Sequence, residues 1–380
     1  NTGVLFCKSG SRFARNSAWA SFWTFLWAAP PKFYAHSCVR RLRWRAARAH
    51  LYSCLQHPIM ASPYRWAASY ILYALFQAQN DLFEPLRLFS SQMSFFGGFA
   101  PDMLKSSPEF RRWSAAWDMM KRHGLTHERP DFGFRTVDVG AHTYPIFEEN
   151  AFDTPFGRLV HFKKDGLSEY QPKVLVVAPL SGHFATLLRG TIETLLPEND
   201  VYVTDWKNAR DIPVSAGRFG FDEYVEHVMQ LLSVMGEGSH VLGVCQPCAH
   251  ALAAVAIMAE DDNKATPLSV TLMAGPVDTR INPSKVNNLA TEKPIEWFEK
   301  NLISTVPWRF AGAGRRVYPG FVQLLAFMSM NAERHMKSHV EMYEHMANGD
   351  EEKAKFIADF YDEYFAVLDL TEEFYLETVN

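Results

Sequence analysis

The chain has 380 residues, 48% of them hydrophobic and 14% aromatic, which excludes a disordered chain and predicts one large domain with an insertion, or two domains. Its formal charge of -4 hides an asymmetry: residues 1–80 hold ten Lys or Arg and no acid, leaving 28 basic against 42 acidic residues in the remainder. Five cysteines, an odd and small number, argue against a disulfide framework and for a reducing compartment.

The chain starts at Asn1, and its first methionine is Met60. Residues 1–59 are therefore expected to lie outside the fold, as a disordered presequence or a non-native leader. The Arg-rich, acid-free stretch CVRRLRWRAARAHLYSC (38–54) fits an organelle-targeting segment, and a translated leader would look similar. The run SAWASFWTFLWAAPP (17–31) is too short to span a bilayer, so no transmembrane segment is expected. No motif supports nucleic-acid binding by the basic stretch.

Residues 60–129 read as a helical segment. ASYILYALFQAQNDLFEPLRLFSSQ (68–92) has an aromatic-rich helical pattern, predicted to break near Pro85, and SPEFRRWSAAWDMMKRHG (107–124) is a helix with Ser107 as N-cap and Pro108 in its first turn. From residue 130 to 280 the rhythm becomes strand and helix in alternation. KVLVVAPLSGH (173–183), DVYVTDWKNA (200–209), SHVLGV (239–244) and LSVTLMAGPVD (268–278) are strands, and FDEYVEHVMQLLSVMG (221–236) is an amphipathic helix. This alternation predicts an α/β fold with a mostly parallel sheet covered on both faces. Residues 281–380 read as helices and loops, aromatic-rich and, in the last forty residues, strongly acidic, with no buried strand. They are expected to form a helical cap insertion.

The hexapeptide GVCQPC (243–248) lies between a predicted strand and an Ala-rich helix. A nucleophile elbow needs a strand, a tight turn exposing the nucleophile and a helix directly behind it, usually spelled G-x-S-x-G. Here Cys245 occupies the nucleophile position, Gly243 the first glycine, and Pro247 stands where the second is expected. A thiol near a helix N-terminus is expected to favour thiolate. The oxyanion hole would combine the backbone amide of Gln246 with those of Ser181 and Gly182 in the loop after KVLVV. Two other readings use the same letters: Cys245 and Cys248 as a C-x-x-C redox pair, or as inert buried thiols. His183 is open between a role in the site and a structural one. Neither metal nor organic cofactor is expected.

The stretch from VLVVAPLSGHFATLLRG through VCQP and AGPVDTRINPSKVNNLA to GRRVYPGFVQLLAFMSMNAERH closely resembles the intracellular poly(3-hydroxybutyrate) depolymerases, over roughly residues 130–380. The resemblance implies an α/β-hydrolase fold whose cysteine nucleophile, matched by Cys245, cleaves ester bonds of the storage polyester at the polymer granule inside the cell. Polyhydroxyalkanoate synthases are related but carry glycine where this chain has Pro247, so the acyltransferase reading comes second. A non-catalytic granule-binding protein is a third. A triad acid and histidine are not found: His250 lies on the wrong side of the helix after Cys245, His335, His339 and His345 read as surface or capping groups, Asp278 as a turn residue and Asp369 as a helix N-cap. Family members carry both partners farther downstream, so the 380 residues are expected to be a fragment lacking the C-terminal strands.

Overall fold

The computed structural model describes residues 65–122 and 124–380, so the expectation for residues 1–59 lies outside the described residues. The first element, α1 (Arg65–Gly97), continues past Pro85 instead of breaking there. The Arg87 guanidinium donates to the Asn80 carbonyl at 3.0 Å, taking up backbone next to the turn that the proline ring disturbs. A single turn, α2 (Asp102–Lys105), leads to α3 (Pro108–Lys121), which begins as its sequence dictates: Ser107 Oγ accepts from the Phe110 amide at 3.3 Å.

A seven-stranded sheet follows, made of β1 (Thr136–Val139), β2 (His142–Asp153), β3 (Gly157–Lys164), β4 (Lys173–Val177), β5 (Asp200–Trp206), β6 (Ser239–Val244) and β7 (Ser269–Met273), in the order β1-β2-β3-β5-β4-β6-β7. The last four in sequence run parallel; β1, β2 and β3 extend the β5 edge antiparallel. Central β4 explains the continuous apolar run. Leu175 and Val177 face one core with α5 (Phe221–Met235) and α6 (Cys248–Glu260), whereas Val174 and Val176 face the other with α4 (Arg189–Leu195). A strand with helices on both sides has no polar face to alternate with. This strand order, with crossover helices on both faces, is the α/β-hydrolase fold. Outer strand β7 is exposed or half-buried throughout, and no strand among the described residues pairs with its free edge.

The rest of the chain comprises α7 (Lys285–Glu292), α8 (Ile295–Leu302), β8 (Ser304–Thr305), β9 (Arg316–Tyr318), α9 (Gly320–Met330), α10 (Ala332–Asn348), α11 (Glu351–Tyr364), β10 (Leu370–Thr371) and α12 (Glu372–Val379). Its three strands form a small antiparallel sheet that the sequence did not reveal, because two or three residues are too few to show a period.

Asp369 also departs from expectation. The residue preceding α12 is Thr371, with no side-chain cap bond; Asp369 Oδ1 instead accepts from the Gly320 amide at 2.8 Å, capping α9, and Oδ2 accepts from the Tyr73 hydroxyl of α1. One buried carboxylate thus ties the N-terminal helix to the C-terminal region.

Candidate active site

Cys245 stands in the turn between β6 and α6 with a φ of 66°, one of few non-glycine residues on the left-handed side. A side chain there costs about 1–2 kcal/mol, and such strain persists where surroundings over-determine it. The Cys245 amide donates to the Met273 carbonyl at the end of β7 (2.8 Å), fixing the turn from the neighbouring strand. Pro247 fits without strain at φ -76°, and its carbonyl accepts the first helical bond, from Ala251, at 2.8 Å. The missing second glycine is therefore no obstacle, since this position needs neither a positive φ nor an amide donor.

The facing loop, after β4, is held at its base by the Ala178 carbonyl, which accepts from Trp206 Nε1 (2.8 Å) and the Tyr224 hydroxyl (2.9 Å). Gln246 bridges it to the elbow: its Oε1 accepts from the Leu180 amide at 3.2 Å. Farther along, the Ser181 carbonyl accepts from Gln323 Nε2 of α9, and the Gly182 carbonyl from the Leu368 amide at 2.9 Å. Both carbonyls therefore turn toward the C-terminal region. Gly182 needs its φ of 87°, and a methyl there would meet Gln323 Oε1 at 2.8 Å. Among the described residues the amides of Ser181 and Gly182 donate to no other protein group.

The thiol does not follow the sequence expectation. Burial raises the Cys245 pKa above its ordinary value, opposed only by the Gln246 backbone amide. Half-buried among apolar groups, the sulfur loses more hydration as thiolate than the single helix-end contact returns. Iodoacetamide labelling of Cys245 is therefore expected to be slow at pH 7 and to keep accelerating through pH 9, followed by peptide mass mapping; a plateau already reached at pH 7 would contradict the raised pKa. Cys248 is fully buried, its Sγ against the Gly243 carbonyl at 3.4 Å, and should label only on unfolding. Both thiols are free, with no bond between them.

The histidines are engaged elsewhere. His183 is buried, stacked between Tyr364 and Phe327 with Nε2 3.2 Å from the Tyr364 carbonyl, and burial pushes its pKa down to about 4: it is structural. His250 stacks on Phe221 with ring centroids 4.0 Å apart, away from the thiol, and burial likewise lowers its pKa to about 4. His335, expected at the surface, is instead buried beside Tyr361, whose hydroxyl lies 3.0 Å from its Nδ1. His339 packs on Tyr361, and His345 lies beside Asp350 at the end of α10. Asp278 is a turn residue as expected, accepting from the Arg280 amide at 3.0 Å. Among the described residues no histidine hydrogen-bonds to Cys245. Gly275, overlooked in the sequence, lies directly against the elbow: a methyl there would fall 1.9 Å from the Cys245 carbonyl oxygen. Its only sequence signal is the Ala-Gly-Pro that ends the strand beside the motif.

Residues 274–380 match the family model described as PHB de-polymerase C-terminus. No curated protein matches the chain. Two solved structures are similar: a serine-to-alanine mutant of LAE6, an alpha/beta hydrolase enzyme from the metagenome of Lake Arreo, Spain (16% identity, 54% of this chain and 62% of that one, TM-score 0.28), and carboxylesterase CesB (YbfK) from Bacillus subtilis (12%, 51% and 60%, TM-score 0.28). The chain spans about 60% of the length of these structures. The fold assignment stands on strand order and elbow, not on these distant likenesses. Residues 274–380 are thus similar to the C-terminal region of PHB depolymerases.

Proposed function

We propose that the chain is a polyester depolymerase that cleaves ester bonds of poly(3-hydroxybutyrate), with Cys245 as nucleophile and the amides of Gln246, Ser181 and Gly182 as the oxyanion hole. The observation that carries this reading is the left-handed Cys245 between a buried parallel strand and a helix, in a chain whose residues 274–380 match a PHB depolymerase region. In the reaction the Cys245 sulfur attacks the ester carbonyl carbon, and its proton passes through a base to the leaving hydroxyl of the next polymer unit. The resulting thioester is hydrolysed by water, which regenerates the thiol and frees a carboxylate. Donors aimed at the tetrahedral oxyanion supply the largest share of such catalysis. The raised thiol pKa means that this reaction needs a base to take the proton; that base is the one component without a candidate among the described residues.

Residues 281–380 act in this reading as a cap, its α9 docked on the Ser181 carbonyl through Gln323. Its aromatic side chains would hold an apolar polyester while excluding bulk water. The test uses a soluble 3-hydroxybutyrate trimer, with products separated by chromatography and the enzyme by intact mass. Wild type is expected to carry a 3-hydroxybutyryl adduct on Cys245 and, with no base among the described residues, to release monomer and dimer only slowly, and Cys245→Ala to lose both. Turnover by Cys245→Ala at the wild-type rate would remove the nucleophile assignment; polymer binding without turnover by the wild type would favour a granule-binding role.

A further inference from the structure

The loop after β4 faces the elbow but is fastened to the C-terminal region. The elbow holds it through the Leu180 amide, which donates to Gln246 Oε1. From the other side, Gln323 Nε2 of α9 donates to the Ser181 carbonyl and the Leu368 amide to the Gly182 carbonyl. His183 forms an antiparallel bridge with Val367, and Thr186 Oγ1 donates to Glu363 Oε2 at 2.7 Å. Residues 181–186 are thus tied to residues 323–368 at one position after another.

One of these ties sets a direction. The Ser181 carbonyl and the Gly182 N–H belong to one peptide plane, and in a trans peptide they point opposite ways. No peptide bond among the described residues is cis. A donor held on the carbonyl therefore decides where the amide hydrogen points. The backbone alone leaves that choice open, because φ at Gly182 is 87° and glycine accepts the opposite sign about as readily. Gln323 closes it. Its Nε2 holds the carbonyl, and its Oε1 lies 2.8 Å from where a methyl on Gly182 would stand. The Gln323 side chain is buried, and its Oε1 has no hydrogen-bond partner. A buried acceptor left unpaired costs stability, so stability alone is a poor account of this amide.

We infer that Gln323 is a positioning residue: by holding the Ser181 carbonyl it directs the Gly182 amide to the ester oxyanion, so that α9 completes the oxyanion hole. This rests on the depolymerase reading. It makes the C-terminal helices part of the catalytic assembly as well as its cover, since withdrawal of α9 would free the Ser181–Gly182 peptide to turn over.

The test compares two reactions of Cys245 in the full chain. In acylation by p-nitrophenyl 3-hydroxybutyrate the sulfur bonds to the carbonyl carbon through a tetrahedral oxyanion, p-nitrophenolate leaves with the electron pair, and the thiol proton passes to water. Iodoacetamide alkylates the same sulfur by displacing iodide and builds no oxyanion. Both reactions draw on one thiol, so their ratio at a fixed pH reports the oxyanion hole and not the nucleophile. Gln323→Met keeps the length of the side chain and Gln323→Glu its shape, and each removes the donor. Intact mass gives both rates, and a Cys248 that stays unlabelled shows that the fold is intact. Each variant is expected to acylate about tenfold to hundredfold more slowly than wild type while alkylating at the wild-type rate.

Acylation of the variants at the wild-type rate, or acylation and alkylation falling together, would overturn the assignment and leave the depolymerase reading standing. A wild type that is alkylated but never acylated would overturn the depolymerase reading itself, and the positioning role with it.

Discussion

Replacing Gly275 by alanine is expected to unseat the elbow and to destabilise the fold by about 3 kcal/mol or more. The added carbon would lie 1.9 Å from the Cys245 carbonyl oxygen, 2.4 Å from Cys248 Sγ and 2.8 Å from the Cys245 carbonyl carbon. Two of these are backbone atoms of a turn already held in a left-handed conformation and anchored to Met273. They have no rotamer into which to retreat, so either the end of β7 or the elbow must move. Gly314→Ala is the control, since that glycine has a positive φ of 85° but nothing within 4 Å of an added methyl. Urea unfolding should show a loss for Gly275→Ala well beyond the control's backbone strain of about 1–2 kcal/mol. Equal losses in the two variants would mean that the elbow tolerates displacement, and the close approach would lose its meaning.

The second large effect is expected at Asp369. Its carboxyl is fully buried, and burial pushes its pKa up to about 6, opposed by the Tyr73 hydroxyl, the Gly320 amide and the Arg210 charge. An ordinary aspartate titrates near 3.9, so between those values the folded chain holds a proton that the unfolded chain has released. The stability this contributes is fully present below about pH 3.9 and is lost as pH rises through 6, about 3 kcal/mol across the window. The amide introduced by Asp369→Asn cannot titrate, so the difference in unfolding free energy between wild type and variant isolates the effect. That difference is expected to shift against wild type from about pH 4 to about pH 7 and then level off. A flat difference, or one shifting in favour of wild type, would show that the carboxyl is ionised in the fold at a normal pKa.

The variant also leaves one oxygen where two are needed, because Tyr73 and Gly320 each donate to a separate oxygen of Asp369. A pH-independent loss of about 1–3 kcal/mol should therefore accompany the lost titration. Its origin would be the junction of α1 with α9.

What the sequence determined by itself was whatever short-range pattern controls. Continuous apolar runs at 173–177 and 239–244 imposed strands with two buried faces, and Ser107-Pro108 imposed a helix start. Gly243, Cys245 and the Ala-rich run behind them were enough to read a strand, a tight turn and a helix, because the three are consecutive in the chain. Tertiary structure alone decided the rest. The thiol's raised pKa, the burial of His335 and the burial of Asp369 all depend on desolvation by segments far away in sequence, which no local spacing encodes. Strands β8 to β10 pair across distances of roughly ten to fifty residues and are too short to carry a period, and Gly275 matters through one contact with a turn about thirty residues earlier. Local pattern governs backbone conformation; burial is a property of the whole packed chain, and it sets which polar groups ionise and which glycines cannot change.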